Sequence, residues 1–189
     1  MGNEVNGMKA LLIVDVQNDF CPGGTMAVPE GDKVIPVINR LMDAFPLVIA
    51  SKDWHPKDSV HFKKWPPHCV QDTPGADFHP QLDVSKIKKV FLKGTLNKDD
   101  GYSAFEATSA NLRQFLKKEK VEDLYIVGLA TDYCVKATAL DADKNGLEAF
   151  VVEDAVAAVN VKPGDGEKAL KAMAHAGITL INSSEIISE

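Results

Sequence analysis

Apolar residues along the chain fall into two recurring patterns. Short, nearly unbroken apolar runs occupy residues 10–14, 47–51, 90–93, 124–129, 149–152 and 178–181. Their length and content predict strands, six in all. Between them the apolar positions recur at helical spacing. Residues 32–45 place Val34, Ile35, Ile38, Leu41, Met42 and Phe45 on one stripe, and a second helix is predicted at about 109–119. A third follows Cys134 and should stop near Gly146, and a fourth runs from Glu167 to near Gly177, each with glycine at the end where helices commonly terminate. Strands alternating with helices predict an α/β fold: a six-stranded, mainly parallel sheet between helical layers. Residues 55–83 show no period and are rich in Pro, His and Trp, and a loop this long inside a domain usually carries function.

The strand ends change the picture. Asp15 ends the first run, Asp53 closely follows the second, Lys93 ends the third and Cys134 follows the fourth. In open α/β sheets ligands bind at the carboxyl ends of strands, so four reactive side chains there predict one active site. Thr131 and Asp132 are good helix N-caps, which would put the Cys134 thiol in a first turn, where unpaired amides and the helix dipole lower its pKa. Asp15 could accept the thiol proton and later return it to a leaving amine. Lys93 could neutralise that carboxylate. Asp53 and His55 could converge on one ion from an extended segment, and His68 would complete a two-histidine, one-carboxylate set with open positions; zinc, iron and manganese all suit it. Three of the five histidines, His55, His61 and His68, fall within fourteen residues. Cys21 and Cys69 read as structural thiols.

Composition narrows the classes. The chain has 189 residues, 45% hydrophobic and 25% charged, with formal net charge −6. That is ordinary globular composition for one domain. Nucleic acid and anionic membrane are not expected as partners, because net charge is negative and no more than two basic residues are adjacent, apart from the cluster Lys86-Ile87-Lys88-Lys89. The first eight residues lack a basic start and an apolar stretch, so we expect a short leader over 1–8, no secretory signal and a cytoplasmic protein. Residues 9–189 are expected to form a single domain, with a metal-binding loop over about 53–83. Three cysteines without a Cys-x-x-Cys pair argue for reduced thiols and against a redox protein.

These residues together resemble the nicotinamidases of the isochorismatase-like cysteine hydrolase family. The carriers are Val14-Asp15-Val16-Gln17-Asn18-Asp19-Phe20, Asp53-Trp54-His55-Pro56, Trp65-Pro66-Pro67-His68-Cys69-Val70, Lys93-Gly94-Thr95 with Tyr102-Ser103-Ala104-Phe105, and Gly128-Leu129-Ala130-Thr131-Asp132-Tyr133-Cys134-Val135. The match runs in order from Ala10 over nearly the whole chain. It implies an isochorismatase-like, Rossmann-like αβα fold and Asp15, Lys93 and Cys134 as the catalytic trio. It also implies a cis peptide before Ala130 and an oxyanion hole from the amides of Ala130 and Cys134. Asp53, His55 and His68 would bind a divalent metal, zinc first, with Fe2+ or Mn2+ as alternatives. His61 stands where many relatives have serine and is expected to ligate directly, as in some relatives. Phe20, Trp65 and Tyr102, with Tyr133 beside them, would enclose the pyridine ring of nicotinamide. The implied reaction is hydrolysis of nicotinamide to nicotinate and ammonia through a thioester, in NAD salvage, with pyrazinamide as a second substrate. Whether the chain forms a homo-oligomer is open. The rival readings are another amidase of the superfamily, such as one for carbamoyl compounds, and a non-catalytic flavodoxin-like module.

Overall fold

The computed structural model describes residues 7–187. Of the expected leader, residues 1–6 lie outside the described residues, and Met8 already belongs to the first strand. The strands are β1 (Met8–Val14), β2 (Leu47–Asp53), β3 (Lys89–Lys93), β4 (Val121–Leu129), β5 (Glu148–Ala157) and β6 (Thr179–Ile181). The helices are α1 (Val34–Leu41), α2 (Leu112–Lys118), α3 (Lys136–Lys144) and α4 (Asp165–His175). Every expected strand is present, β4 and β5 running several residues longer than their apolar cores. The stripe over 32–45 is α only at its centre, with 3-10 turns at Gly31–Lys33 and Met42–Ala44.

The sheet order is β3-β2-β1-β4-β5-β6, and every pairing is parallel. Parallel strands need crossovers that cover both faces, so their residues are buried on both sides. Along β1 the period of two is visible: Leu11 and Ile13 join one core, Ala10, Leu12 and Val14 the other. The first core is closed by Ile35, Ile38 and Leu41 of α1, the second by Leu112 and Leu116 of α2, Ala139 and Ala142 of α3, and Met173 of α4. The small α3 residues let that helix sit close to the sheet.

In this strand order the chain moves to opposite sides of β1 and β4, and the crevice at such a switch point is where an open sheet binds ligands. Asp15 follows β1 and the Cys134 turn follows β4. The two strands are held close by Gly128, at φ +110, where a Cβ would lie 2.1 Å from the Val14 carbonyl oxygen. A side chain cannot fit there.

Residues 55–83 are irregular, as expected, but closely tied. The Gln17 amide donates to the carbonyls of Asp53 (2.8 Å) and Ala76 (2.9 Å) and accepts from the Asp53 amide (2.8 Å). Asp19 Oδ2 accepts from the Cys69 amide at 2.8 Å. Two side chains just after β1 thus fasten a long loop across the sheet end, and Cys69 and Ala76 pack into the first core. Among the described residues, no helix is long and apolar enough to cross a membrane.

Candidate active site

Asp15 sits immediately after β1 with φ +49, a left-handed conformation uncommon for a residue with a side chain and often found at functional sites. Its carboxylate is fully buried. Ser51 Oγ donates to Oδ1 at 2.7 Å, and Lys93 Nζ lies 2.7 Å from Oδ2. Burial pushes the carboxyl up to about 6, against the opposing pull of Lys93. A carboxylate so placed is ionised at neutral pH yet basic enough to accept a proton. Ser51 had no expected role. Its signal is the hydroxyl that closes the apolar run of β2, in register with Val14 at the end of β1.

Lys93 does more than neutralise Asp15. Its ammonium also pairs with Asp53 Oδ1, donates to the Gly101 carbonyl at 2.6 Å and lies 3.5 Å from Cys134 Sγ. One cation therefore touches Asp15, Cys134 and a carboxylate of the histidine cluster. Burial opposes the charge of Asp53, but Lys93 and the nearby histidines hold its carboxyl well below the ordinary range.

Cys134 lies in a wide, π-helical turn over Thr131–Val135 that leads into α3. The expected caps are corrected here. Neither Thr131 nor Asp132 caps the turn; Ala130 takes the cap position, and its carbonyl accepts from the amides of Tyr133 (3.1 Å) and Val135 (3.0 Å). The Asp132 carboxylate is already taken by the amides of Val159 (2.9 Å) and Asn160 (2.8 Å) beyond β5. The expected lowering of the thiol pKa is corrected as well. Burial pushes the Cys134 thiol well up; Lys93 opposes the rise, and the carboxylates of Asp15 and Asp53 add to it. The resting group is a neutral thiol that needs a base. The Leu129–Ala130 peptide is cis, as the resemblance implied.

The histidines converge on the far side of Lys93. Ring centroids are 4.7 Å apart for His55–His61, 5.0 Å for His55–His68 and 5.5 Å for His61–His68. One ring nitrogen of each lies within 4.8 Å of the others'. Asp53 Oδ2 is 3.5 Å from His55 Nε2 and 3.8 Å from His68 Nε2, so all four expected ligands come together. Each histidine holds an acceptor through Nδ1: the Gly94 carbonyl for His55 (3.1 Å), Asp99 Oδ1 for His61 (3.0 Å) and the Pro66 carbonyl for His68 (2.7 Å). That pattern leaves Nε2 as the free lone pair, the usual arrangement of metal-bound imidazoles. His55 Nε2 is buried without a hydrogen-bond partner, which is costly unless a cation completes it. The donor set therefore fits a divalent ion. Gly94 protects the arrangement: at φ +64, a Cβ there would lie 2.4 Å from His55 Cε1.

Between the thiol and the histidines lies a small pocket. Phe20, Trp65, Tyr102 and Tyr133, all expected there, line it, together with Met26 and Val159, which the sequence did not single out. Trp65 Nε1 donates to the Tyr102 hydroxyl at 3.0 Å, and Tyr133 meets Trp65 edge-on at 5.1 Å. The Asp132 clamp sets Val159 on this wall, so only the tertiary fold brings it in.

A family model, the isochorismatase domain, matches residues 9–185. A nicotinamidase/pyrazinamidase of Mycobacterium tuberculosis is 43% identical, over 94% of this chain and 100% of its own. The structure of a nicotinamidase and pyrazinamidase from Acinetobacter baumanii superposes with TM-score 0.90 at 36% identity, covering 97% of this chain and 100% of that one. The pyrazinamidase of Pyrococcus horikoshii, solved in complex with zinc, superposes with TM-score 0.83 at 43% identity, covering 92% and 98%. With the isochorismatase domain matched over residues 9–185 and the Cys134 turn at the sheet's switch point, this chain belongs to the isochorismatase family.

Proposed function

We propose that this chain is a nicotinamidase, a cysteine amidohydrolase that converts nicotinamide to nicotinate and ammonia. The observation that carries the reading is the joining of two constellations on one small aromatic pocket: Asp15, Lys93 and Cys134 on one side, Asp53 and three histidines on the other. Full-length similarity to a nicotinamidase/pyrazinamidase supports it. In this reading Asp15 takes the Cys134 proton and the thiolate attacks the carboxamide carbon. The developing oxyanion is met by the backbone amides of Ala130 and Cys134. Asp15 returns the proton to nitrogen, the C–N bond breaks and ammonia leaves. Water, deprotonated by Asp15, then hydrolyses the thioester and releases nicotinate, returning the thiol. Lys93 keeps Asp15 aimed and balances charge throughout. Phe20, Trp65, Tyr102 and Tyr133 enclose the ring and exclude water.

Asp53, His55, His61 and His68 would hold a divalent ion, with zinc first because the Pyrococcus pyrazinamidase holds zinc. When bound, such an ion supplies a Lewis-acid docking point for a ring nitrogen and lowers the pKa of water. Pyrazinamide, which also carries a ring nitrogen and a carboxamide, is a second substrate under the same reading. The activity would serve NAD salvage in the cytoplasm. A carbamoyl amidase has no use for the four-residue cluster and is disfavoured.

The direct test is ammonia release from nicotinamide by purified protein, before and after chelation. Release that chelation removes and zinc restores is expected. Folded, zinc-loaded protein that releases no ammonia would overturn the substrate assignment. A second expectation concerns pH. Because the base is the ionised Asp15, kcat/KM should fall about tenfold per unit as pH drops below about 6 and level off above it, following its raised carboxyl. A flat profile down to pH 5 would remove Asp15 as the base.

A further inference from the structure

We propose that Asp99 is the positioning residue that aims His61 at the metal, the outer carboxylate of a carboxylate–histidine–metal relay. The inference rests on the metal reading above and extends it to a residue with no expected role. Of the three imidazoles, His55 and His68 are anchored through Nδ1 by neutral backbone carbonyls, those of Gly94 and Pro66. His61 alone is anchored by a side-chain carboxylate, Asp99 Oδ1 at 3.0 Å. It sits on a 3-10 turn over Val60–Lys63, outside the strands of the sheet. Packing against His55, His68 and Tyr102 confines the ring, but it does not decide which ring nitrogen carries the proton or which faces the ion. A carboxylate acceptor at Nδ1 settles both: it places the proton on Nδ1 and leaves the Nε2 lone pair for the ion.

The surrounding contacts show Asp99 held for this task. Its second oxygen pairs with Lys64, which follows the same 3-10 turn. Two residues earlier, Asn97 Oδ1 accepts from the Val60 amide at 2.7 Å. The segment after β3 thus grips the histidine-bearing turn through Val60, His61 and Lys64. The same segment supplies the Gly101 carbonyl on Lys93 and the Tyr102 ring of the pocket. One stretch of chain therefore joins the ion's fourth ligand, the catalytic lysine and the ring wall. A carboxylate is also a stronger acceptor than a carbonyl, so it raises the basicity of the imidazole it holds.

The test measures metal affinity, with no substrate involved. Zinc affinity is determined by competition with a chromophoric chelator for wild type, Asp99→Ala, Asp99→Asn and Lys64→Ala. The visible absorption of the cobalt(II)-substituted proteins is recorded alongside. Asp99→Ala should bind zinc about 10- to 100-fold more weakly and change the cobalt bands. Asp99→Asn should recover part of the loss, because its amide oxygen still accepts from Nδ1. Lys64→Ala keeps the His61–Asp99 contact and should stay within about threefold of wild type. An Asp99→Ala protein with zinc affinity within about twofold of wild type and unchanged cobalt bands would overturn the proposal. So would a Lys64→Ala loss as large as that of Asp99→Ala, which would assign the effect to docking of the turn. Wild-type protein that binds neither metal would overturn the metal reading and this one together. A protein that binds zinc normally but ignores nicotinamide would overturn only the substrate assignment.

Discussion

Replacing Cys134 with alanine is expected to remove turnover of nicotinamide, by a factor on the order of 10⁴ or more in kcat, while leaving the fold and product binding in place. The thiol is the one nucleophile within reach of Lys93 Nζ in the buried cluster, at 3.5 Å. Without it, only direct attack by water remains. That route keeps the base and the backbone amides but loses the thioester that divides one difficult step into two easier ones. Cys134 is 8% exposed at the pocket, so trimming one sulfur costs about 1 kcal/mol of packing or less. Its turn is held by the Ala130 carbonyl and by Asp132, neither of which touches sulfur. Ammonia release is the readout for chemistry, thermal unfolding for the fold and nicotinate binding for the pocket. A variant that keeps turnover within tenfold of wild type would end the covalent route.

Lys93→Met should give the largest loss of stability of any single change at the site. The side chain is fully buried, and its charge is the partner of both Asp15 and Asp53. Methionine fills nearly the same volume, so the change isolates the charge. Two carboxylates then face each other away from water with no cation between them. Breaking a buried ion pair by removing one partner costs about 3–5 kcal/mol. For a chain of this size, that corresponds to a fall in Tm on the order of 10 °C. The deficit should shrink as pH falls, because protonating Asp15 removes one of the two facing charges. Both proteins are compared stripped of metal, so that a bound cation does not mask the difference. A metal-free variant whose Tm lies within about 2 °C of wild type would show that the two carboxylates find another partner.

Much of the molecule is legible in the sequence. The six apolar runs are the six strands, because a strand buried on both faces needs unbroken apolar sequence whatever its neighbours. Asp15, Asp53, Lys93 and Cys134 were legible as one site because strand ends in a parallel sheet open onto the same edge. The aromatic residues of the pocket and the four residues of the ligand cluster were implied by motif, and the fold brings each group together. The helix bounds were less legible. Over 32–45 the apolar stripe continues past the α-helical centre into 3-10 turns, since a stripe records which side is buried and does not separate the two helix types.

The misreadings share a cause. Thr131 and Asp132 carry the local chemistry of N-caps, yet Asp132 spends its oxygens on the amides of Val159 and Asn160, 27 and 28 residues away. The thiol was expected to be acidic because a helix start acts locally. In the folded chain burial pushes the thiol up, and two carboxylates brought from other strands add to the rise against the pull of Lys93. The roles of Ser51, Met26, Val159 and Asp99 likewise depend on contacts between distant segments. By itself the sequence determined the strands, the parallel α/β class and the set of reactive side chains, because these depend on residue type and short-range period. The tertiary structure alone decided which oxygen meets which proton: Asp99 on His61 across 38 residues, Gln17 on Asp53 across 36, and Lys93 between two carboxylates. Such pairings are set by the packing of distant segments, and a hydrogen-bonding side chain does not encode its partner.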